Sequence, residues 1–273
     1  DEQLSSDNTM ACGTCHLPNA GGIDRRMGRH PGRDGQFNTQ DDVFGSTGVV
    51  HANSNRDFEP ETNFGTNRQV TRRTSMPNFT AQWSPQAFWD GRAVGRFVDP
   101  ETSQVAIQSS GALESQAVGP ILDPAEMGHE GRTWADVRMK LQKAQPMRLA
   151  SNLPADIQAA LAVDSSYPAL FQRAFGSNAI TARHIAFALA TYQRTLVPDQ
   201  TPFDRNTMTQ RQTNGWNRFR GSRCARCHTP PLFTNNQFRN VGVRPNIEDL
   251  GRQEVTNNFQ DRGRFKVPSL RNV

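Results

Sequence analysis

Cys12-Gly13-Thr14-Cys15-His16 and Cys224-Ala225-Arg226-Cys227-His228 are two copies of C-x-x-C-H, and together they use all four cysteines of the chain. In this motif the two thiols form thioethers with the vinyl groups of a haem, and the adjoining imidazole takes the iron as proximal ligand. A structural zinc asks for four thiolates or a His pair at finger spacing, which a His placed directly after the second Cys does not provide. A redox C-x-x-C occurs once, beside a βαβ pattern, and needs no His. Two covalent haem c groups are therefore expected, one on Cys12 and Cys15 with iron on His16, the other on Cys224 and Cys227 with iron on His228. No Cys is left for a disulfide.

Working outward from these motifs, the composition fits a chain that depends on such groups. Of 273 residues 35% are apolar, with two Tyr against 21 Gly and 17 Pro, which is little side-chain material for a large core. The 16 Phe and four Trp fall in ordered-looking segments and argue against disorder. No run of 18 apolar residues offers a membrane span. The opening Asp1-Glu2-Gln3, with neither Met nor an apolar leader, reads as a mature end left by signal-peptide removal. Bacterial c-type haems are attached outside the cytoplasmic membrane, so a periplasmic or secreted location is expected. The formal charge of +5 comes from 31 Lys plus Arg against 26 Asp plus Glu. These basic residues are nearly all Arg, are dispersed among acids and form no recognition module, so nucleic acid is excluded as a partner. Guanidinium groups of this kind suit haem propionates.

The first 80 residues are rich in Gly, Asn, Asp and Arg, lack helical periodicity and read as long haem-covering loops. Within them Asp34 to Asp42 has oxygen ligands for calcium but not the EF-hand spacing, and a solvated Asx-rich turn is the better reading. Helical patterns run from Trp134 to Ala144 behind Thr133 as N-cap, from Pro154 to Val163, and from Thr181 to Leu196 with Ile185, Ala188, Leu189 and Tyr192 on one face. A polar linker from about Val197 to Thr213 leads to the second motif. The expected fold is mainly α and loop-rich, with two cytochrome c-like haem domains: residues 1–198 with inserted loops, and residues 199–273, read as incomplete.

Further stretches carry chemistry: Phe88-Trp89-Asp90-Gly91-Arg92-Ala93, Leu113 to Pro120 around Gln116, Asp123-Pro124-Ala125-Glu126-Met127-Gly128, Asn240-Val241-Gly242-Val243, Asp249-Leu250-Gly251-Arg252, and Phe265-Lys266-Val267-Pro268-Ser269-Leu270-Arg271-Asn272-Val273. With Tyr167-Pro168-Ala169-Leu170-Phe171, this set resembles the bacterial dihaem cytochrome c peroxidase family, which includes the MauG-type protein-modifying enzymes. The resemblance implies that the haem at Cys12/Cys15/His16 is the peroxidatic one and that at Cys224/Cys227/His228 the electron-transfer one. It makes Glu126 the distal acid, Gln116 the distal glutamine and Trp89 the residue held between the haems. The chemistry agrees, because peroxide O–O heterolysis needs a group that takes a proton from one oxygen and gives it to the other. An amide such as Gln116 holds the oxidant without competing for that proton. Trp89 alone would be read as core.

Three departures stand out. No His lies between Ala52 and Phe88, where relatives carry a blocking distal ligand, so the peroxidatic iron is expected to be five-coordinate or water-bound when oxidised. The family's sixth ligand to the second haem lies beyond the Pro-Ser-Leu-Arg-Asn stretch, so a further segment or a second chain is expected to complete that domain. Thr71-Arg72-Arg73-Thr74 stands where the family places a calcium-binding Asn, which leaves calcium open. Three functions follow: reduction of hydrogen peroxide with electrons from a small cytochrome c or cupredoxin, MauG-type oxidation of a protein substrate, or non-catalytic electron transfer. The pairing of Glu126 with Gln116 favours the first. Of the other histidines, His184 reads as structural, His129 as distal-pocket or turn, and His30 and His51 as loop residues.

Overall fold

The computed structural model describes residues 2–242 and 249–271. Val243, Asn272 and Val273 lie outside the described residues. The haem motif Cys12–Cys15 forms a single helical turn, α1. From there to residue 111 the chain runs as loops stitched by short antiparallel hairpins: β1 (Gly28–His30) with β2 (Val43–Gly45), β3 (Thr47–Val50) with β4 (Arg68–Val70), β5 (Gln86–Ala87) with β6 (Ala93–Val94), and β7 (Phe97–Val98) with β8 (Val105–Ile107). These strands have two to four residues each, too short for alternation to show in the sequence.

Helices then take over: α2 (Ala112–Ala117), α3 (Gly119–Leu122), α4 (Trp134–Lys143), α5 (Ala155–Val163), α6 (Tyr167–Phe175) and α7 (Ala182–Gln193). Thr133 caps α4 in a reciprocal box, its hydroxyl accepting from Asp136 N–H while the Asp136 carboxylate accepts from Thr133 N–H. Trp134, Val137 and Leu141 follow on the buried face. Thr181 caps α7 by a single bond, its hydroxyl accepting from His184 N–H. The face of α7 differs from the expected one. Ala182, Ile185, Ala186 and Ala190 are buried, whereas Ala188 is exposed and Tyr192 is 64% exposed at the cavity rim. The small residues allow α2 to pack closely, and the larger Tyr192 points away from that contact.

Ile121, Trp134, Val137, Leu141, Phe171, Ile180 and Ile185 form the main core, and Met10, Val49 and Met127 form a smaller one. Past residue 198 the chain forms α8 (Gln210–Gly221), a 3-10 turn over Cys224–Arg226, the pair β9 (Phe238–Arg239) and β10 (Phe265–Lys266), and α9 (Gln253–Thr256). Helix α8 begins inside the stretch read from sequence as linker, because Thr209 and Gln212 build a capping box there. Among the described residues past 198 Val267 is the one buried apolar side chain. Ordering a residue costs about 1–2 kcal/mol and a buried aliphatic side chain returns about 1.5–3 kcal/mol, so this stretch depends on polar ties and on whatever group its motif binds.

Those ties centre on Arg73. Its guanidinium donates to both Asp249 carboxylate oxygens at 2.8 and 2.6 Å, to Asp90 Oδ2 at 2.6 Å and to Glu254 Oε2 at 3.2 Å. A second clamp is Arg271, which donates to Asp204 Oδ1 and Oδ2 at 2.7 Å each and to the carbonyls of Pro198 and Pro231. Among the described residues no helix is long and apolar enough to cross a membrane.

Because Asp90 and Asp249 side chains are 4% and 2% exposed, Arg73→Gln leaves two buried carboxylates short of their partner. Breaking such a pair costs about 3–5 kcal/mol, measured by urea denaturation of the holoprotein at pH 7, whereas Arg205→Ala on the exposed surface stays within about 0.5 kcal/mol. Burial pushes the Asp249 carboxyl up, but the Arg73 hydrogen bonds and charge outweigh it and hold it below the usual carboxylate range. The Arg73 contribution is therefore full at and above the usual carboxylate range and is lost as pH falls below it through the depressed folded value, so the gap between wild type and variant shrinks below about pH 4. A gap that does not change with pH contradicts this account.

Candidate functional site

Behind α1 lies a cavity of about 700 Å³, a size common for cofactor sites, which run to about 300–1,000 Å³. Cys12, Cys15, His16, Trp89, Gln116 and Glu126 all line it. Helix α1 puts His16 at its C-cap, and the ring Nδ1–H donates to the Gly22 carbonyl at 2.8 Å. That bond fixes the tautomer and leaves Nε2 as a lone pair for a metal. Burial pulls the His16 imidazole down, which keeps it neutral as a ligand must be. Burial likewise pushes the Cys15 thiol up to about 11, against the opposing pull of Arg26. Among the described residues no three His, Cys, Asp or Glu side chains gather as a metal cage, so the four cysteines do not converge on one ion.

Glu126 sits on a loop after α3 that is fastened from two directions. Asp123 Oδ1 accepts from Ala125 and Glu126 N–H, and Gln69 donates to the Pro124 carbonyl. Gly48 of β3 approaches so closely that a Cβ there would lie 1.8 Å from the Ala125 carbonyl oxygen, so only glycine fits beneath the acid. The Glu126 carboxyl has no hydrogen-bond partner among the described residues. Burial first, then the Asp123 charge, pushes it up to about 7, while Arg92 pulls the other way. Arg92 itself lies over the Phe88 ring at 3.5 Å. The Gln116 amide on α2 is also without a protein partner among the described residues.

The Phe88–Arg92 stretch is the turn between β5 and β6. Gly91 takes φ +74°, and a Cβ there would strike the Phe238 ring at 2.4 Å. This turn presents Trp89, whose indole N–H donates to the Thr74 carbonyl at 2.8 Å and whose own carbonyl accepts from Lys266 N–H at 2.7 Å. Next to Thr74, the Ser75 hydroxyl donates to the Cys15 carbonyl; two residues past Lys266, the Pro268 carbonyl accepts from His228 Nδ1 at 3.1 Å. A hydrogen-bonded backbone path thus joins the first motif, Trp89 and the second motif. His228 Nδ1–H is shared with the Phe233 carbonyl, also at 3.1 Å, so its Nε2 is free for a metal as well.

The residues present fit a haem. The cavity has a largely apolar lining, and among its cations Lys266 is buried, pushed down to about 8 by that burial, and without a hydrogen-bond partner for its ammonium among the described residues. A buried cation of this kind calls for an anionic partner, which a haem carboxylate supplies. The second motif offers the same donors on a more open surface. Cys224 is exposed, and neither it nor His228 lines the large cavity.

Other expectations resolve as follows. His184 is structural, stacked on Phe175 with centroids 4.4 Å apart. His129 lines neither the cavity nor an exposed turn; it is 4% exposed and faces a different cleft. His51 pairs with Glu130 at 3.0 Å, away from the cavity. His30 does reach the cavity wall, where its Nδ1 accepts from Gly32 N–H. The carboxylates of Asp34, Asp41 and Asp42 accept from backbone N–H groups of their own loop, as an Asx-rich turn requires. Sequence reasoning missed Lys266 and Gly48. Lys266 was visible as one of three lysines in a chain of 28 arginines. Nothing local marks Gly48, since its constraint comes from residue 125.

Residues 1–213 match the family described as di-haem cytochrome c peroxidase. The chain is 26% identical over 286 aligned residues to the cytochrome c peroxidase Ccp of Escherichia coli, covering 100% of this chain and 46% of that protein. It is 29% identical over 286 to the methylamine utilization protein MauG of Methylorubrum extorquens, covering 100% and 59%. The chain spans about half the length of the curated relatives it matches. Among solved structures its fold is similar to that of a MauG-like protein associated with microbial copper homeostasis, with TM-score 0.58, 19% identity, and coverage of 100% of this chain and 66% of that one. It is also similar to the diheme peroxidase BthA of Burkholderia thailandensis, with TM-score 0.58, 18% identity, and coverage of 100% and 63%. With its two C-x-x-C-H motifs, the chain belongs to the di-haem cytochrome c peroxidase family.

Proposed function

We propose that this protein carries two covalent haem c groups, at Cys12/Cys15/His16 and at Cys224/Cys227/His228, and reduces hydrogen peroxide to water with electrons from a small cytochrome c or cupredoxin, in the periplasm. The observation that carries this reading is the shared cavity: a carboxyl and an amide with no hydrogen-bond partners among the described residues, Glu126 and Gln116, line the space that His16 also faces. A pure electron carrier has no use for such a pair.

Bound haem supplies the redox-active iron at which the peroxide is reduced. The chain does the rest. His16 and His228 hold the irons through Nε2, each ring steered by its carbonyl acceptors. Gln116 orients the peroxide by hydrogen bonds. Glu126 takes the proton from one peroxide oxygen and returns it to the other, a task suited to a group poised near 7. Trp89, tied by hydrogen bonds towards both motifs, is the relay for electrons entering at the second haem. Lys266, buried on the cavity wall, would pair with a carboxylate of the bound group. Arg73 holds Asp90 and Asp249 together with its own charge, so this part of the interface calls for no calcium. The division at residues 198/199 into a peroxidatic and an electron-transfer unit belongs to the same reading.

Glu126→Gln is expected to lower kcat by roughly 10²–10⁴-fold in a steady-state peroxide assay, with covalent haem content unchanged. Wild-type kcat/KM is expected to rise with pH through about 7, as Glu126 loses its proton, and the variant to lack that limb; retained activity removes Glu126 from the mechanism. The ferric holoprotein is expected to give a high-spin signal in low-temperature EPR. No His lies between Ala52 and Phe88 to serve as a second iron ligand, and His30 Nδ1 already accepts from Gly32 N–H. Two purely low-spin haems contradict this.

A further inference from the structure

A second cleft, of about 460 Å³ and sharing no lining residue with the haem cavity, lies between the N-terminal segment and α4. Its walls carry Arg56, His129, Arg132, Asp136, Lys140 and Lys143. Two of the chain's three lysines are therefore here. Four cations face one lining carboxylate, with Asp7 close enough to act on Arg132 and Lys140. Both carboxylates are already engaged, Asp136 by Thr133 and Arg56, and Asp7 by Ser5 and Thr9.

Two of the groups are built in rather than displayed. Arg132 is 6% exposed; its Nη atoms donate to the carbonyls of Ile121, Met127 and Leu4, while its Nε–H has no partner among the described residues. His129 is 4% exposed; its Nδ1–H donates to the Glu130 carbonyl at 2.9 Å, and its Nε2 is likewise unpartnered. Lys140 donates to the carbonyls of Ser5 and Ser6 and is pushed down to about 8 by burial and by Arg132. The cleft thus gathers donors and positive charge around one acceptor lone pair. Charge of this sign calls for an anion. The His129 lone pair repels a fully ionised oxygen but accepts from an O–H.

We propose that this cleft binds inorganic phosphate, whose ionised oxygens meet Arg132, Lys140 and Lys143 and whose protonated oxygen donates to His129 Nε2; a phosphate monoester, with its second pKa of about 6, is mostly without that O–H at pH 7. Sulfate has the same shape and charge but no O–H near neutral pH, so it is the discriminating competitor.

The test is isothermal titration calorimetry of the holoprotein at pH 7, at ionic strength held constant with chloride, using inorganic phosphate, glycerol 3-phosphate and sulfate in turn. One site per chain with Kd of about 1 mM or tighter is expected for phosphate, with glycerol 3-phosphate and sulfate each at least tenfold weaker. Lys143→Glu, on an exposed side chain that holds no fold contact, is expected to weaken binding at least tenfold, and Lys143→Arg to restore it. Absence of saturable phosphate binding up to about 10 mM, sulfate or glycerol 3-phosphate binding as tightly as phosphate, or an unchanged Kd in Lys143→Glu overturns the proposal.

Discussion

The guanidinium of Arg73 is the constraint on which the arrangement of this molecule depends. It is held by carboxylates from two distant parts of the chain, Asp90 beside Trp89 and Asp249 with Glu254 near the C-terminal hairpin. A planar fork meets Asp249 with two parallel hydrogen bonds, which fixes orientation as well as charge; a lysine would supply the charge alone. Because Asp90 is anchored, the β5–β6 turn is anchored, and Trp89 can bond to Thr74 on one side and Lys266 on the other. Lys266 leads into the segment whose Pro268 carbonyl steers His228. Removing the guanidinium would leave buried charge behind and release both ends of this path together.

Composition and energetics meet in the stretch past residue 198. With Val267 as its one buried apolar side chain among the described residues, it is held by arginines instead: Arg252 over the Phe238 ring at 3.9 Å, Arg271 on Asp204 and two proline carbonyls, and Arg73 from earlier in the chain on Asp249. The excess of arginine over lysine thus has a structural use, since bidentate and stacked contacts need a planar cation. The three lysines are placed differently. Each lines a cavity, where a compact ammonium can meet a ligand oxygen.

How much of this was legible in the sequence depended on the range of each signal. The two C-x-x-C-H motifs are local, and so are the caps at Thr133 and Thr181, so the motifs and the helices α4 and α7 could be read directly. The hairpins could not, because strands of two to four residues carry no period. Arg73 was noticed only as the absence of an expected residue; its meaning lies in Asp249, 176 positions away. The same distance hid the lone pair of His129 and the role of Gly48. Gln116 and Glu126, separated by a helix break, could be paired only through the family resemblance; they share a cavity because α3 folds back and β3 supports the loop beneath the acid.

The central claim is that the cavity face carrying Glu126 and Gln116 admits peroxide to a reactive haem. Rapid mixing of the oxidised holoprotein with one equivalent of hydrogen peroxide, followed at the Soret band, tests it most directly. The account predicts an immediate shift or bleaching of that band without prior reduction. A Soret band unchanged by peroxide would contradict it and return the molecule to the class of electron carriers.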